Sequence, residues 1–376
     1  MRVIIAAAGT AGHINPGLAI ANKIKEEQSK SEIIFIGTTR GLENDLVPRA
    51  GYELKTIDAY GLSKKISLDN LKKMYKTYKG LGQAKKIIKD FKPDIVIGTG
   101  GYICGAVITS ANKLGIPTML HESNAFPGKA VKMLAKRTDT ILVSFQDAKE
   151  RIPNAKKIVC TGTPVKIKKQ NYGINEKNEI INKVGLNSIK PIILVYGGSQ
   201  GAQKINEALI EIIEKKLNKD YQVIWATGPN QYDIIKNTLK EKNINIENID
   251  NMKVMPYIYN MEEIMNISDL IVARSGAMTI TEISNLGKAS ILVPLPNVSN
   301  NHQMYNAKVL EKIDAAKIIE NDNLNGELLN KTINEIVLNK DNLKLMGSSA
   351  FSISINDTQD KIYQEILALL NKESLK

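Results

Sequence analysis

The chain has 376 residues, 43% hydrophobic and 24% charged, which is room for two domains and a composition that excludes wholesale disorder, collagen and coiled coil. Its two cysteines, Cys104 and Cys160, lie far apart and form no Cys-x-x-Cys pair, so neither a disulfide framework nor a zinc finger is expected, and a reducing compartment fits. The net charge is +12, and all of it belongs to residues 1–165, with 26 Lys and Arg against 14 Asp and Glu.

At the N-terminus, Met1-Arg2-Val3-Ile4-Ile5-Ala6-Ala7-Ala8 is interrupted by Gly9 and Gly12 after about six apolar residues, too short for a signal peptide and right for a buried first strand. Further apolar runs at 33–37, 95–98, 118–120 and 140–143 alternate with amphipathic stretches. The plan starts again with runs at 192–196, 222–226, 253–255, 270–273 and 290–294. Strand and helix in alternation predict an α/β fold of two Rossmann-like parallel-sheet domains facing across a cleft, joined near Thr161-Gly162-Thr163-Pro164 and the Lys- and Asn-rich stretch after it. Ligands in such folds collect at the carboxyl ends of the strands.

Three turns there could carry chemistry. After the first strand comes Gly9-Thr10-Ala11-Gly12-His13-Ile14-Asn15-Pro16-Gly17, with Asn15 expected as N-cap and Pro16 at the first helical position. Its glycine spacing is not that of a dinucleotide fingerprint, and no Lys-Ser/Thr follows to make a Walker turn. His13 supplies a group able to accept a proton near neutral pH, or merely one that caps local backbone. The second half opens with Gly197-Gly198-Ser199-Gln200-Gly201-Ala202, a hydroxyl and amide cradle for phosphate. Arg274-Ser275-Gly276-Ala277-Met278-Thr279-Ile280-Thr281-Glu282 repeats the theme; Glu282 reads either as the carboxylate of a Thr279-x-x-Glu282 capping box or as an acceptor for a ribose diol. No Asp-x-Asp and no His- or carboxylate-rich cluster occurs, so no metal and no other cofactor is expected.

Segment 61–92 holds ten lysines against Asp69 and Asp90, and Leu68, Leu71, Met74, Tyr75, Tyr78 and Leu81 recur at helical steps within it. One reading is an interfacial helix on an anionic membrane surface; the other is a helix packed on its own sheet with a solvated basic back. Nucleic acid is not expected as a partner, because no recognition motif and few aromatics accompany the charge. With no window near the roughly 18 to 20 apolar residues of a spanning helix, membrane contact should be peripheral.

Taken together and in order, Gly9-Thr10-Ala11-Gly12-His13 with Asn15-Pro16-Gly17, Gly100-Gly101-Tyr102, His121-Glu122-Ser123-Asn124, Gly162-Thr163-Pro164-Val165, the Gly197 turn, the Arg274 turn through Glu282, and His302-Gln303 with Asn306-Ala307 resemble the MurG family of bacterial peptidoglycan glycosyltransferases. The resemblance implies a GT-B fold: residues 1–163 an acceptor and membrane-facing domain, 164–348 a UDP-GlcNAc-binding domain, and a C-terminal helix at about 349–376 that returns to the first. It implies an inverting transfer of N-acetylglucosamine from UDP-GlcNAc to lipid I at the cytoplasmic face of the membrane. Thr10, Ala11 and Gly12 would line the diphosphate and sugar, Asn124 the donor sugar, Ser199 a phosphate, Ile258 the uracil through its backbone, and Ala277, Met278, Thr279, Ile280 and Thr281 the diphosphate. Glu282 would hold the ribose, Gln303 the sugar hydroxyls, and His13 would be the general base, with His121 and Glu122 as weaker candidates for base or positioning. Two departures stand out. Ala8 and Ala11 occupy the first turn where the family usually has Gly-Gly, and Lys166, with Thr163 before it, stands where the family has Arg after Asn-Pro-Val, keeping the charge but losing the bidentate fork. The rival readings are another nucleotide-sugar enzyme of this fold, an epimerase or a transferase with a different acceptor, an NAD-dependent oxidoreductase, and a lipid-binding module.

Overall fold

The computed structural model describes residues 1–60, 68–198 and 200–374, which divide into two units, Met1–Val165 with Ile355–Lys376, and Lys166–Ser354. The first unit runs β1 (Arg2–Ala7), α1 (Ala11–Glu27), β2 (Glu32–Gly37), α2 (Glu43–Arg49), β3 (Glu53–Thr56), α3 (Leu68–Phe91), β4 (Ile95–Gly100), α4 (Ile103–Lys113), β5 (Thr118–Glu122), α5 (Lys129–Leu134), β6 (Thr140–Val143) and β7 (Ile158–Cys160). The second runs α6 (Ile174–Lys183), β8 (Ile192–Tyr196), α7 (Gln203–Glu214), β9 (Gln222–Ala226), α8 (Pro229–Glu241), β10 (Met252–Met255), α9 (Met261–Ile267), β11 (Leu270–Ala273), α10 (Ala277–Leu286), β12 (Ala289–Leu292), α11 (His302–Glu311), β13 (Ala316–Ile318), α12 (Gly326–Val337) and α13 (Lys340–Ser352). The last helix, α14 (Thr358–Ser374), belongs to the first unit.

Each unit holds one sheet with every pairing parallel, in the orders β3-β2-β1-β4-β5-β6-β7 and β10-β9-β8-β11-β12-β13. The α/β reading of two Rossmann-like sheets therefore holds. In both sheets the strand order reverses beside the first strand of the unit, between β1 and β4 and between β8 and β11, which is where such sheets open a crevice for ligand. The reason β1 is a continuous apolar run is visible in its packing: Val3, Ile5 and Ala7 face α1 and α14, while Ile4 and Ala6 face the opposite layer with Ile103, Val107 and Ile88. Helix α14 is held to this sheet by Ile362 and Ile366 in the core, by a Lys23–Asp360 ion pair at 2.7 Å and by a hydrogen bond from Gln28 Nε2 to the Tyr363 hydroxyl at 3.0 Å.

Three local expectations are corrected. Helix α1 starts at Ala11, with Thr10 in the extended conformation at its cap, so Asn15 is not the N-cap and Pro16 lies inside the helix. Helix α10 starts at Ala277 after Gly276, so Thr279 is a first-turn residue and the Thr279-x-x-Glu282 capping box is not formed. The single C-terminal helix is two helices, with α13 ending at Ser352 and α14 starting at Thr358. The polar stretch after Pro164 also contains α6, whose Ile180 and Ile181 are buried.

Candidate functional site

Two turns flank the reversal point of the first sheet, β1–α1 and β4–α4, and they are fitted to each other. Gly9 has φ +99°, a conformation that favours glycine, and lets the chain leave β1 and enter α1 within three residues. His13 folds back so that its Nδ1 lies 3.1 Å from the Ala8 carbonyl oxygen. A carbonyl can only accept, so Nδ1 carries a proton, and in the neutral ring it is Nε2 that keeps the lone pair. The imidazole rests on Gly100, where a Cβ would fall 2.3 Å from His13 Cδ2, and a Cβ on Gly101 would fall 2.6 Å from the Ala8 oxygen. Thr99 Oγ1 donates to the His13 carbonyl at 2.8 Å. Thr10 is exposed and Ala11, Gly12 and His13 are half-buried at the open end of α1, whose first N–H groups have no partner within the helix.

The carboxylate of Glu43, fully buried at the start of α2, holds this turn from behind. It accepts from the Gly9 N–H at 2.9 Å through one oxygen, and from the Thr38 N–H at 2.9 Å and Thr38 Oγ1 at 2.8 Å through the other. Burial pushes its pKa up, but the hydrogen bonds from Gly9 and Thr38 outweigh that and hold it below the usual carboxylate range. Sequence reasoning did not single out Glu43; the one signal was the pair of glycines at 37 and 41, where a Cβ would strike its side chain.

The loop after β5 is organised by a second buried carboxylate. Glu122 accepts from the Asn124 N–H at 2.9 Å and from Asn124 Nδ2 at 3.1 Å through Oε1, and from the Gly128 N–H at 2.7 Å through Oε2. His121 is 1% exposed; its Nε2 donates to the Gly162 carbonyl at 3.0 Å, leaving Nδ1 to accept from Ser123, and burial lowers its pKa to about 4. Both residues are engaged in shaping the unit, so of the three candidates for base only His13 keeps a ring nitrogen with no hydrogen bond among the described residues. Thr163 is buried and bonded to Ser144, and Lys166 is exposed at the first position of the second unit.

In the second unit the turns after β8, β9, β10 and β11 share the carboxyl edge of one parallel sheet. Gly201 and Gly228 pack backbone to backbone, since a Cβ on Gly228 would fall 2.6 Å from Gly201 Cα. Ser199, expected on a phosphate, lies outside the described residues. At α10 the first-turn N–H groups of Ala277, Met278 and Thr279 point out of the helix end, whereas the Ile280 N–H is bonded to the Gly276 carbonyl at 3.0 Å and Thr281 Oγ1 donates to the Ala277 carbonyl at 3.0 Å. Glu282, half-buried one turn on, receives no hydrogen bond among the described residues, and burial pushes its pKa up to about 7. The neighbouring Tyr196 hydroxyl, at the end of β8, is buried, and burial raises its pKa as well. Ile258 is 2% exposed in the loop after β10, between Tyr257 and Tyr259, whose rings meet edge to face at 5.0 Å. Gln303 is the second residue of α11, with its Oε1 accepting from the Leu295 N–H at 2.9 Å and its carbonyl accepting from Ser275 Oγ at 2.8 Å, which leaves the amide nitrogen as the group that can reach a ligand.

The basic segment is part of the first unit. The second half of α3 packs through Ala84 and Ile88, and Gly80 lets the helix approach the Asp58 carbonyl, where a Cβ would fall 1.9 Å from the oxygen. Tyr75 and Tyr78 do not pack: they are 72% and 75% exposed, beside the exposed Lys76 and Lys79. Residues 61–67, with Lys64 and Lys65, lie outside the described residues. Among the described residues no helix is long and apolar enough to cross a membrane, and no group of three or more His, Cys, Asp or Glu could hold a metal ion.

Residues 3–143 match the glycosyltransferase family 28 N-terminal domain and residues 192–362 the family 28 C-terminal domain. A protein of Ruminiclostridium cellulolyticum named UDP-N-acetylglucosamine--N-acetylmuramyl-(pentapeptide) pyrophosphoryl-undecaprenol N-acetylglucosamine transferase is 42% identical over 98% of this chain and 100% of its own length. The crystal structure of Acinetobacter baumannii MurG is similar over 99% of both chains, with a TM-score of 0.77 at 27% identity. A putative UDP-N-acetylglucosamine 2-epimerase from Listeria monocytogenes is similar over 99% of this chain and 97% of its own, with a TM-score of 0.67 but 15% identity, a likeness of fold alone. Two parallel-sheet units, their glycine turns and these similarities give a GT-B glycosyltransferase, and the chain belongs to glycosyltransferase family 28 and, within it, to the MurG family.

Proposed function

We propose that the protein transfers N-acetylglucosamine from UDP-GlcNAc to the C4 hydroxyl of the N-acetylmuramic acid in lipid I, with inversion at the anomeric carbon, forming the β-1,4 linkage of lipid II. The observation that carries this is full-length identity of 42% to a relative named for that transfer. The epimerase reading is supported by fold alone and is not favoured.

In this reading His13 is the general base. The acceptor hydroxyl attacks C1 as its proton passes to Nε2, and the bond from C1 to the UDP oxygen breaks with its electron pair leaving on UDP. General-base assistance of this kind is worth roughly 10²- to 10⁴-fold. The unbonded N–H groups of Ala277, Met278 and Thr279, at the positive end of α10, suit the diphosphate charge that grows in the transition state. Thr10, Ala11 and Gly12 would approach the diphosphate and sugar, Ser199 a phosphate and Lys166 the charge beside it. Ile258 would meet the uracil through its backbone, and Ile280 and Thr281 would support the helix end from within. Glu282, with no hydrogen-bond donor among the described residues, suits two ribose hydroxyls, while the Gln303 amide nitrogen and Asn124 suit the sugar. The lysines of segment 61–92, with Tyr75 and Tyr78 exposed among them, would rest on anionic lipid at the cytoplasmic face, each lysine near the surface worth about 1 kcal/mol.

The test is transfer of labelled N-acetylglucosamine from UDP-GlcNAc to a lipid I analogue. The expected result is a labelled disaccharide lipid formed in step with UDP release. Epimerised UDP-sugar with no labelled lipid would overturn the reading.

A further inference from the structure

The Ala8–Gly9 peptide group has both of its polar atoms committed. Its N–H donates to Glu43 Oε2 at 2.9 Å, and its carbonyl accepts from His13 Nδ1 at 3.1 Å. A carboxylate, one peptide unit and an imidazole are thus joined in a single chain of hydrogen bonds. Hydrogen bonds in series polarise one another: negative charge on the N–H side makes the carbonyl a stronger acceptor on the other.

Among the described residues the carboxylate has no cation of its own. It makes no ion pair among the described residues, and the charges on neighbouring elements are engaged elsewhere. The Arg40 guanidinium donates to the Ala59 carbonyl at 2.8 Å and covers the Tyr60 ring. Asp45 pairs with Arg49, Lys55 with Glu53, and Lys23 of α1 with Glu27 and Asp360. The hydrogen bonds from Gly9 and Thr38 keep this buried carboxylate in its charged form, so a full negative charge sits behind the turn. The one titratable group at the far end of its hydrogen-bond chain is His13.

We propose that Glu43 is a positioning residue for the transfer reaction: through the Ala8–Gly9 peptide it fixes His13 as the Nδ1–H tautomer, and its charge favours the imidazolium formed when Nε2 takes the acceptor's proton. This rests on the reading of His13 as base. The arrangement does the work of a carboxylate bonded directly to a catalytic imidazole, with a peptide unit interposed. Its geometry depends on small residues at three places: Gly37 and Gly41, where a Cβ would strike Glu43, and Gly101, where a Cβ would strike the shared carbonyl oxygen.

The test compares pH–rate profiles of the full chain for wild type, Glu43→Gln, Glu43→Asp, His13→Gln and the His13→Gln/Glu43→Gln pair, with UDP-GlcNAc and a lipid I analogue. Glu43→Gln is expected to lower kcat at least tenfold, to leave the KM for UDP-GlcNAc within about threefold, and to move the acid limb of the profile down by about one pH unit, as loss of a nearby negative charge should. Glu43→Asp, which keeps the charge, should restore most of the limb's position. In the His13→Gln background the Glu43→Gln change should cost less than threefold. An unmoved acid limb, or the same loss in both backgrounds, would make Glu43 merely structural and overturn the inference. Turnover of His13→Gln within about threefold of wild type would instead remove the base reading beneath it. Should Glu43→Gln fail to fold, nitrogen-15 shifts of the wild-type histidines decide: His13 is expected as the Nδ1–H tautomer, and an Nε2–H tautomer would overturn the proposal.

Discussion

Gly100 carries the His13 imidazole against its Cα: a side chain there would begin 2.3 Å from Cδ2 of the ring, at a φ of +135° that residues other than glycine rarely adopt. The β4–α4 turn therefore fixes the ring of the β1–α1 turn by contact rather than by hydrogen bonding. Gly100→Ala should push the imidazole off the Ala8 carbonyl and cost about 1–3 kcal/mol of stability from the strained backbone. Turnover is expected to fall at least tenfold while UDP affinity stays within about threefold. Calorimetry with UDP and a transfer assay check this; turnover near wild type would mean that the ring's position does not matter.

His121 is buried neutral, and that has a pH signature. Its folded pKa of about 4 lies below the ordinary value of 6.5, so the unfolded chain takes up a proton that the folded chain refuses. Its contribution to stability is whole above about pH 6.5 and is lost as pH falls toward 4, on the order of 3 kcal/mol across the window. His121→Gln, which loses the proper bond to the Gly162 carbonyl, should be less stable than wild type at pH 7.5, with the gap narrowing toward pH 4. Denaturant midpoints measured across that range test it, and a gap independent of pH would contradict the assignment.

Glu282 has the opposite sign. Its carboxyl is raised from 4.5 to about 7, so the folded chain holds a proton that the unfolded chain has released, and stability falls as pH rises from about 4.5 to 7. Glu282→Gln should therefore melt higher than wild type at pH 8 and at nearly the same temperature at pH 4. If Glu282 accepts from the ribose hydroxyls as proposed, UDP affinity should drop at least tenfold for the same substitution, because that acceptor is weakened. Unchanged UDP affinity would remove Glu282 from the donor site.

Much of this arrangement was readable in the sequence because it follows from local pattern. The central strands are apolar on both faces, and Gly9, Gly100, Gly198 and Gly201 mark the turns, all with positive φ. What escaped was set by contacts over distance or by edges. β3, β7 and β13 are three- and four-residue edge strands, and Glu53-Leu54-Lys55-Thr56 carries no apolar run to announce it. Pro16 looked like a helix start, but Thr10 ends the turn first, and the helix accepts a proline whose missing N–H would have met the carbonyl of Gly12. Glu43 acts on Gly9 from 34 residues away, a relationship that no spacing rule reaches.

In the proposed docking on anionic lipid, the exposed tyrosines of α3 separate two contributions to binding. Reversing Lys76, Lys79 and Lys85 to Glu should lower affinity for anionic vesicles by more than tenfold and flatten the salt dependence. Changing Tyr75 and Tyr78 to Ser should weaken binding while leaving the salt slope unchanged, since only buried apolar area is lost. Sedimentation with vesicles at two ionic strengths distinguishes them; binding indifferent to both sets would remove α3 from the membrane face.

The most direct measurement is the rate at which His13→Gln transfers labelled N-acetylglucosamine to a lipid I analogue, with both substrates saturating and UDP binding verified on the same sample. A loss of roughly 10²- to 10⁴-fold with UDP still bound is the result expected of a general base in the first turn. Turnover within about threefold of wild type would contradict it.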